Sequence, residues 1–504
     1  MRKSTLVTAI AVASACLVGG LAPAAVAAPT QPVTSKAKAK VEADFNGDGH
    51  TDLVVNQRNG TVGDRAQAGA VVVLYGSKSG ISSARKQVIT QNSTGVPGTA
   101  EAHDRFGDQS VVADYDSDGY ADLAISASGE DVTLDGVYRG NAGQTTIVWG
   151  GKNGLTKHGA TTVNQTAPTD HDWRRGAALA TGDFNGDGKA DLATGDKSPG
   201  RGGEMLYGPI NRKTGTPKSA VSLGYKKAGP RVSVAFDAGD VTGDGITDLV
   251  FQVYAGLHDS ADPKTRINIH RGTKKGLVKS GQLIGAHGYP LGNVTATDGQ
   301  VAVGDVNKDG YADIALGNGV FGGDRVTIAF GGPKGQSTTL PPLVITQESA
   351  GVPDDSEPGD NFGTSLSFGD TNADGYLDLA IGNPGEAVTT RPRNLGQVTV
   401  LLGGKTGPSA TGARTYHQRT SGMPTKQGFH NYFGAAVKLA DLNGDRRADV
   451  AVGSDGYEPV KGQISVITTP AAAAATSVKG VVYSAGDLGL TSAVKTGFGT
   501  SFSN

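Results

Sequence analysis

The stretch "DFNGDGHTD", residues 44–52, governs how this chain is read. Oxygen-bearing side chains stand at its first, third, fifth and ninth positions, and Gly49 stands at the sixth. In such a loop alternate side chains converge on one point, and the glycine takes a sharp turn that a Cβ would obstruct. Hard oxygen donors without nitrogen or sulfur favour calcium over transition metals, and a flexible many-oxygen cage favours it over magnesium.

The pattern returns as "DYDSDGYAD" (114–122), "DFNGDGKAD" (183–191), "DVTGDGITD" (240–248), "DVNKDGYAD" (305–313), "DTNADGYLD" (370–378) and "DLNGDRRAD" (441–449). The seven first aspartates are 70, 69, 57, 65, 65 and 71 residues apart. That is the spacing of one supersecondary unit of about four strands with its loops. Upstream of a loop comes a short alternating segment such as "FGDQSVVADY", and downstream an apolar run such as "DLAIS" or "DIALG", so each loop reads as a β-hairpin tip. A third strand then ends in a glycine turn, as in "VVVLYGSKSG" (71–80), "TTIVWGGKNG" (145–154), "VTIAFGGPKG" (326–335) and "VTVLLGGKTG" (398–407). A polar fourth strand leads on to the next repeat, and the short connections make all four antiparallel.

By register, four side chains and the backbone carbonyl of the seventh residue are the candidate ligands of each loop. These are Asp44, Asn46, Asp48, His50 and Asp52 in the first loop, and Asp114, Asp116, Asp118, Tyr120 and Asp122 in the second. The third offers Asp183, Asn185, Asp187, Lys189 and Asp191, and the fourth Asp240, Thr242, Asp244, Ile246 and Asp248. The fifth offers Asp305, Asn307, Asp309, Tyr311 and Asp313, and the sixth Asp370, Asn372, Asp374, Tyr376 and Asp378. Asp441, Asn443, Asp445, Arg447 and Asp449 complete the set, for up to seven Ca²⁺ ions. Two loops are expected to be weaker: Arg446 replaces the sixth-position glycine of the last, and Thr242 brings only a neutral hydroxyl to the fourth. The plain alternative is that Asp/Asn/Gly-rich tips are good turn formers. Seven copies in register weigh against that, and strand-like flanks weigh against a helix-flanked EF-hand.

Phe106-Gly107, Phe362-Gly363 and Phe433-Gly434, the metal-type loops and "IGNPG" (381–385) together resemble the FG-GAP repeats of the integrin α-chain amino-terminal propeller. The resemblance covers essentially everything after Val41, and implies an all-β fold: a seven-bladed β-propeller of four-stranded antiparallel blades. It also implies a non-enzymatic binding or adhesion role. The third copy departs from the pattern with Arg175-Gly176, and no Phe-Gly precedes Asp240 or Asp305, so altered packing is expected in those blades.

The first loop has no Phe-Gly strand before it, whereas the chain ends in "FGTSFSN" (498–504), matching "FGTSLSFGD" (362–370) up to the point where a loop would begin. The carboxy-terminal strand is therefore expected to join the amino-terminal blade and close the ring without a covalent bond, removing open sheet edges.

Ahead of the repeats, a basic n-region (Arg2, Lys3), an apolar run and small residues before position 28 predict a signal peptide over 1–27, then a Lys-rich flexible leader over 28–40 and the propeller over 41–504. This predicts a secreted protein. The only cysteine, Cys16, falls inside the first segment, so no disulfide is available to the repeats, and lipid anchoring through Cys16 is the competing reading. No later apolar run is long enough to span a bilayer.

Glycine is 77 of 504 residues and the charged fraction 19%, which suits many strands and tight turns rather than a charged disordered polymer. The formal charge is −2. Bound calcium would make the surface net basic, favouring an anionic cell-surface or cell-wall polymer as partner, within a wider class of protein or glycan ligands; no nucleic-acid role is read. Extracellular calcium modules bind at about 10⁻⁴ to 10⁻³ M, and several filled sites would together decide whether the ring stays folded.

The nine histidines, among them His103, His158, His171, His270 and His430, fall in no H-x-x-x-H or H-E-x-x-H spacing, and no G-x-S-x-G elbow is present. "GGKTG" from Gly403 lacks the earlier glycine of a phosphate loop and reads as a strand-end turn. Trp149 reads as core; Trp173, in "TDHDWRRG", is either locally packed or a contact for glycan or protein. The segment from Pro470, "PAAAAATSVKG", reads as a loop without function. A hydrolase or lyase acting on glycans or phosphodiesters from the central channel stays the alternative, needing acids or bases that point inward.

Overall fold

The computed structural model describes residues 43–134, 136–155, 159–164, 173–197, 202–224, 232–255, 264–283, 300–317, 324–387, 394–424, 431–456, 462–470, 477–490 and 497–503. The signal-peptide, leader and Cys16 readings lie outside these residues, as do His158, His171, His430 and most of the segment after Pro470. Val41–Asn504 forms one compact unit.

Among the described residues of this unit are seven four-stranded antiparallel sheets, each running in sequence order from the inner strand outward except the first, and two small two-stranded hairpins. The second blade, for example, orders Phe106–Ala113, Asp122–Ala127, Gln144–Val148 and Ala160–Thr162. In the first blade the inner strand is Ser501–Phe502, paired to Leu53–Gln57 through Val55↔Phe502 and Asn56↔Ser501. The expected closure is present. The third, fourth and fifth blades, which lack Phe-Gly, form all the same.

Second strands such as Leu53–Gln57, Asp122–Ala127 and Asp378–Asn383 are buried along their whole length, because each blade is covered on both faces by its neighbours. Continuous apolar runs follow from that geometry. The outer strand Ser219–Ser222 is exposed throughout. Among the described residues, seven apolar cores lie between successive blades, one per seam. The seam that closes the ring packs Val55 and Leu74 of the first blade with Ala451 and Ile464 of the last, around Phe498 and Phe502.

The Phe-Gly signature is a seam device. Phe106, Phe433 and Phe498 are buried, and their backbones pair in parallel with Gly69, Gly396 and Gly462 of the preceding blade. A Cβ on Gly396 would stand 2.1 Å from Phe433 O, so only glycine allows the approach. In the third blade Arg175 keeps this backbone position, donating its N–H to Ala142 O, while its guanidinium stacks 4.9 Å from the ring centre of Trp173. Trp173 is buried, so its role here is packing rather than an exposed contact. Trp149 is core, as expected from its strand.

Candidate metal centres

Each loop leads into the second strand of its blade, connecting it to the inner strand in every blade but the first, whose inner strand comes from the carboxy terminus, and the loops form one series around the ring. Seventh residues cover the fourth residue of the preceding loop: Tyr120 lies against Gly47, Ile246 against Gly186, Tyr311 against Gly243, and His50 against Gly444 across the closing seam. Backbone bonds join adjacent loops as well, with Ala121 N–H to Asp44 O (3.2 Å), Ala312 N–H to Asp240 O (2.8 Å) and Ala448 N–H to Asp370 O (2.7 Å).

Within a loop the acidic side chains fold over the backbone in a fixed order. Asp44 accepts the N–H groups of Asp48 (3.1 Å) and Gly49 (2.8 Å), Asn46 accepts Asp48 N–H (2.8 Å), and Asp48 accepts His50 N–H (3.1 Å). The same pattern holds for Asp114, Asp116 and Asp118, for Asp183, Asn185 and Asp187, and for Asp305, Asn307 and Asp309. Asp441, Asn443 and Asp445 follow it with one extra bond, from Gly444 N–H to Asp441, whereas in the sixth loop Asp370 Oδ1 accepts the N–H groups of Asn372 and Ala373 and the bonds to Asp370 Oδ2, Asn372 and Asp374 keep the common order. In the fourth loop Asp240 and Asp244 make these bonds with no contribution from the Thr242 hydroxyl. Arg446 holds φ at +70°, in the range of the glycines elsewhere, and gives its N–H to Asp441 at 2.8 Å. The left-handed conformation expected of that position is therefore imposed on an arginine.

The ninth aspartate is deeper than the rest. Asp52, Asp122, Asp191, Asp248, Asp313, Asp378 and Asp449 are all buried. Asp122 accepts Tyr115 N–H on Oδ2 (2.9 Å) and Gly150 N–H on Oδ1 (2.8 Å). Gly76, Gly208, Gly272, Gly331 and Gly403 make the matching bond to Asp52, Asp191, Asp248, Asp313 and Asp378. These are the glycines that end the third strands. Reading them only as turns misses this second role, in which the backbone must come close: a Cβ on Gly150 would stand 2.0 Å from Ala121 O. The signal was available in their recurrence. In the last blade Thr469 takes the place and donates its hydroxyl to Ala448 O at 3.0 Å.

Burial pushes the carboxyls of Asp52, Asp122, Asp191, Asp313 and Asp449 up to about 7, and nearby loop aspartates push further in the same direction. A cation would reverse that balance. Asp114, Asp116 and Asp122 each offer an oxygen within 4.8 Å of the others, an all-oxygen group suited to a hard cation. Elsewhere the third position is Asn or Thr, which takes one carboxylate away from each set.

The FG-GAP repeat model matches residues 43–74, 106–148, 175–203, 299–338, 362–401 and 433–467. The chain carries six FG-GAP repeats. It is 34% identical over 167 residues to integrin alpha-PS2 of Drosophila melanogaster, which covers 30% of this chain and 11% of that protein. It is 32% identical over 162 residues to phosphatidylinositol-glycan-specific phospholipase D of Rattus norvegicus, covering 31% and 18% respectively. Human integrin alpha-6 is 29% identical over 189 residues, covering 35% and 14%. The chain thus spans under a fifth of the length of these relatives. Among solved structures, the exotype rhamnogalacturonan lyase YesX has a TM-score of 0.32 at 12% identity, over 80% of this chain and 70% of that one. No helix among the described residues is long and apolar enough to cross a membrane.

Proposed function

We propose that this chain is an exported, calcium-holding propeller that works as a binding or adhesion module, with calcium shaping the ring rather than taking part in chemistry. The convergence of Asp114, Asp116 and Asp122 within 4.8 Å carries the reading, supported by the same hydrogen-bond order in the other loops. The first, third, fifth and ninth side chains of each loop would hold the ion, with the seventh carbonyl beside them. Bound calcium would supply positive charge at oxygens that otherwise repel one another. Resemblance of the matched segments to integrin α-chains supports binding and an extracellular setting. A protein or glycan ligand is expected, an anionic cell-surface polymer being favoured by the basic surface that filled loops would leave.

Calcium stoichiometry by titration calorimetry, with thermal melts in calcium and in chelator, tests the metal reading. Near seven ions and a large fall in melting temperature on chelation are expected; no uptake and no shift would reduce the loops to turns. A polysaccharide panel read for both retention and chain cleavage tests the role, and cleavage would replace binding by catalysis.

A further inference from the structure

Among the described residues, four of the seven loops carry a basic side chain from elsewhere in the chain docked on their acidic oxygens. Arg85 Nη2 lies 2.8 Å from Asp48 Oδ2, Lys218 Nζ 2.9 Å from Asp187 Oδ2, and Arg271 Nε 3.4 Å from Asp244 Oδ2. Each of these aspartates is the fifth residue of its loop, and its Oδ1 holds the N–H of the seventh. In the second loop the cation arrives from the next blade: Arg212 Nη1 lies 2.8 Å from Asp116 Oδ2 and 3.0 Å from Asp118 Oδ2. Arg212 Nη2 also donates to Gly150 O at 3.3 Å, and the guanidinium lies 5.3 Å from the ring centre of buried Trp149. That loop is the one with four aspartates, so the largest self-repulsion meets the best-anchored cation.

The fifth and sixth loops are different. Among the described residues no ion pair reaches the carboxylates of Asp309 or Asp374. Lys308 Nζ meets the sixth loop at the Asp374 backbone carbonyl (3.4 Å), against Gly375 and over the Tyr376 ring. The seventh loop has Arg446 and Arg447 within its own sequence.

A docked cation offsets repulsion among the aspartates when no metal is bound, and repels a divalent ion entering the same oxygens. We propose that Arg85, Arg212, Lys218 and Arg271 are tethered counter-ions that hold the first four loops in shape without metal and weaken their hold on calcium. The loops that begin at Asp305 and Asp370 therefore fill first. This rests on the calcium reading above, and assigns an order of filling to its sites.

Calcium isotherms of the full chain, with melts in chelator, test it on wild type, Lys218→Gln, Arg212→Gln and Asp305→Asn. Wild type is expected to bind in two affinity classes, and Asp305→Asn to lose one site from the tighter class. Lys218→Gln and Arg212→Gln should each tighten one weak site by about fivefold, a screened single-charge effect, while lowering the melting temperature in chelator. The Lys218 side chain is 60% exposed, so its replacement leaves packing intact even where loss of Arg212 from Trp149 does not. A Lys218→Gln protein matching wild type in both isotherm and chelator melt overturns the counter-ion role, as does a single affinity class in wild type. Wild type taking up no calcium overturns the metal reading itself, a result that no variant comparison reproduces.

Discussion

Phe502 pairs with Val55, so the carboxy-terminal strand is the inner strand of the blade that carries the first loop. Around this pair Ser503 N–H reaches Val54 O at 3.3 Å and the Ser503 hydroxyl reaches Ser110 O, tying the same strand to the second blade.

Loss of this latch should open the ring. Phe498 is fully buried in the closing seam, and Phe498→Ala is expected to cost about 3–5 kcal/mol in urea unfolding at fixed calcium. Deleting residues 498–504 should lower the melting temperature further and produce oligomers on light scattering, since exposed strand edges pair with one another. An unchanged melt would sink the closure.

The ninth aspartate should matter even without metal. Asp122→Ala strips two buried N–H groups of their acceptor and is expected to cost about 1–3 kcal/mol per group in chelator. Asp116→Ala, nearer the surface, should cost less in chelator and show its main effect in calcium. Equal losses in chelator would contradict the division of labour.

Arg446 is strained where six other loops use glycine. Arg446→Gly should stabilise the protein by about 1 kcal/mol, read as a higher melting temperature, and remove a positive charge beside Asp441. A lower melting temperature would show that the arginine makes a compensating contact.

Glu386 supplies a pH signature away from the loops. Burial, with Asp360 and Asp354 nearby, pushes its carboxyl up to about 8, while Gln347 and Asn383 both donate to Oε2. The folded state therefore keeps a proton that the unfolded chain releases above its ordinary value of 4.5. Stability from this group is present at low pH and falls as pH rises from 4.5 to about 8. Glu386→Gln should leave the melting temperature unchanged near pH 4.5 and raise stability by roughly 2 kcal/mol at alkaline pH. A variant that is no more stable at alkaline pH would refute the protonated form.

The repeat, the blade count, the loop positions and the closure are all legible in the linear chain. Each is written in local order: a nine-residue pattern, its spacing, and a Phe-Gly segment left without its loop. Ring order then follows, because a propeller blade packs on the blades that precede and follow it. What lies across a seam is settled only by folding. Arg212 reaches Asp116 from another blade, Gly396 owes its identity to Phe433, and Arg175, at the phenylalanine position, stacks on Trp173. Contacts between distant segments depend on where folding brings two backbones to within a few ångströms, which the linear order alone does not state.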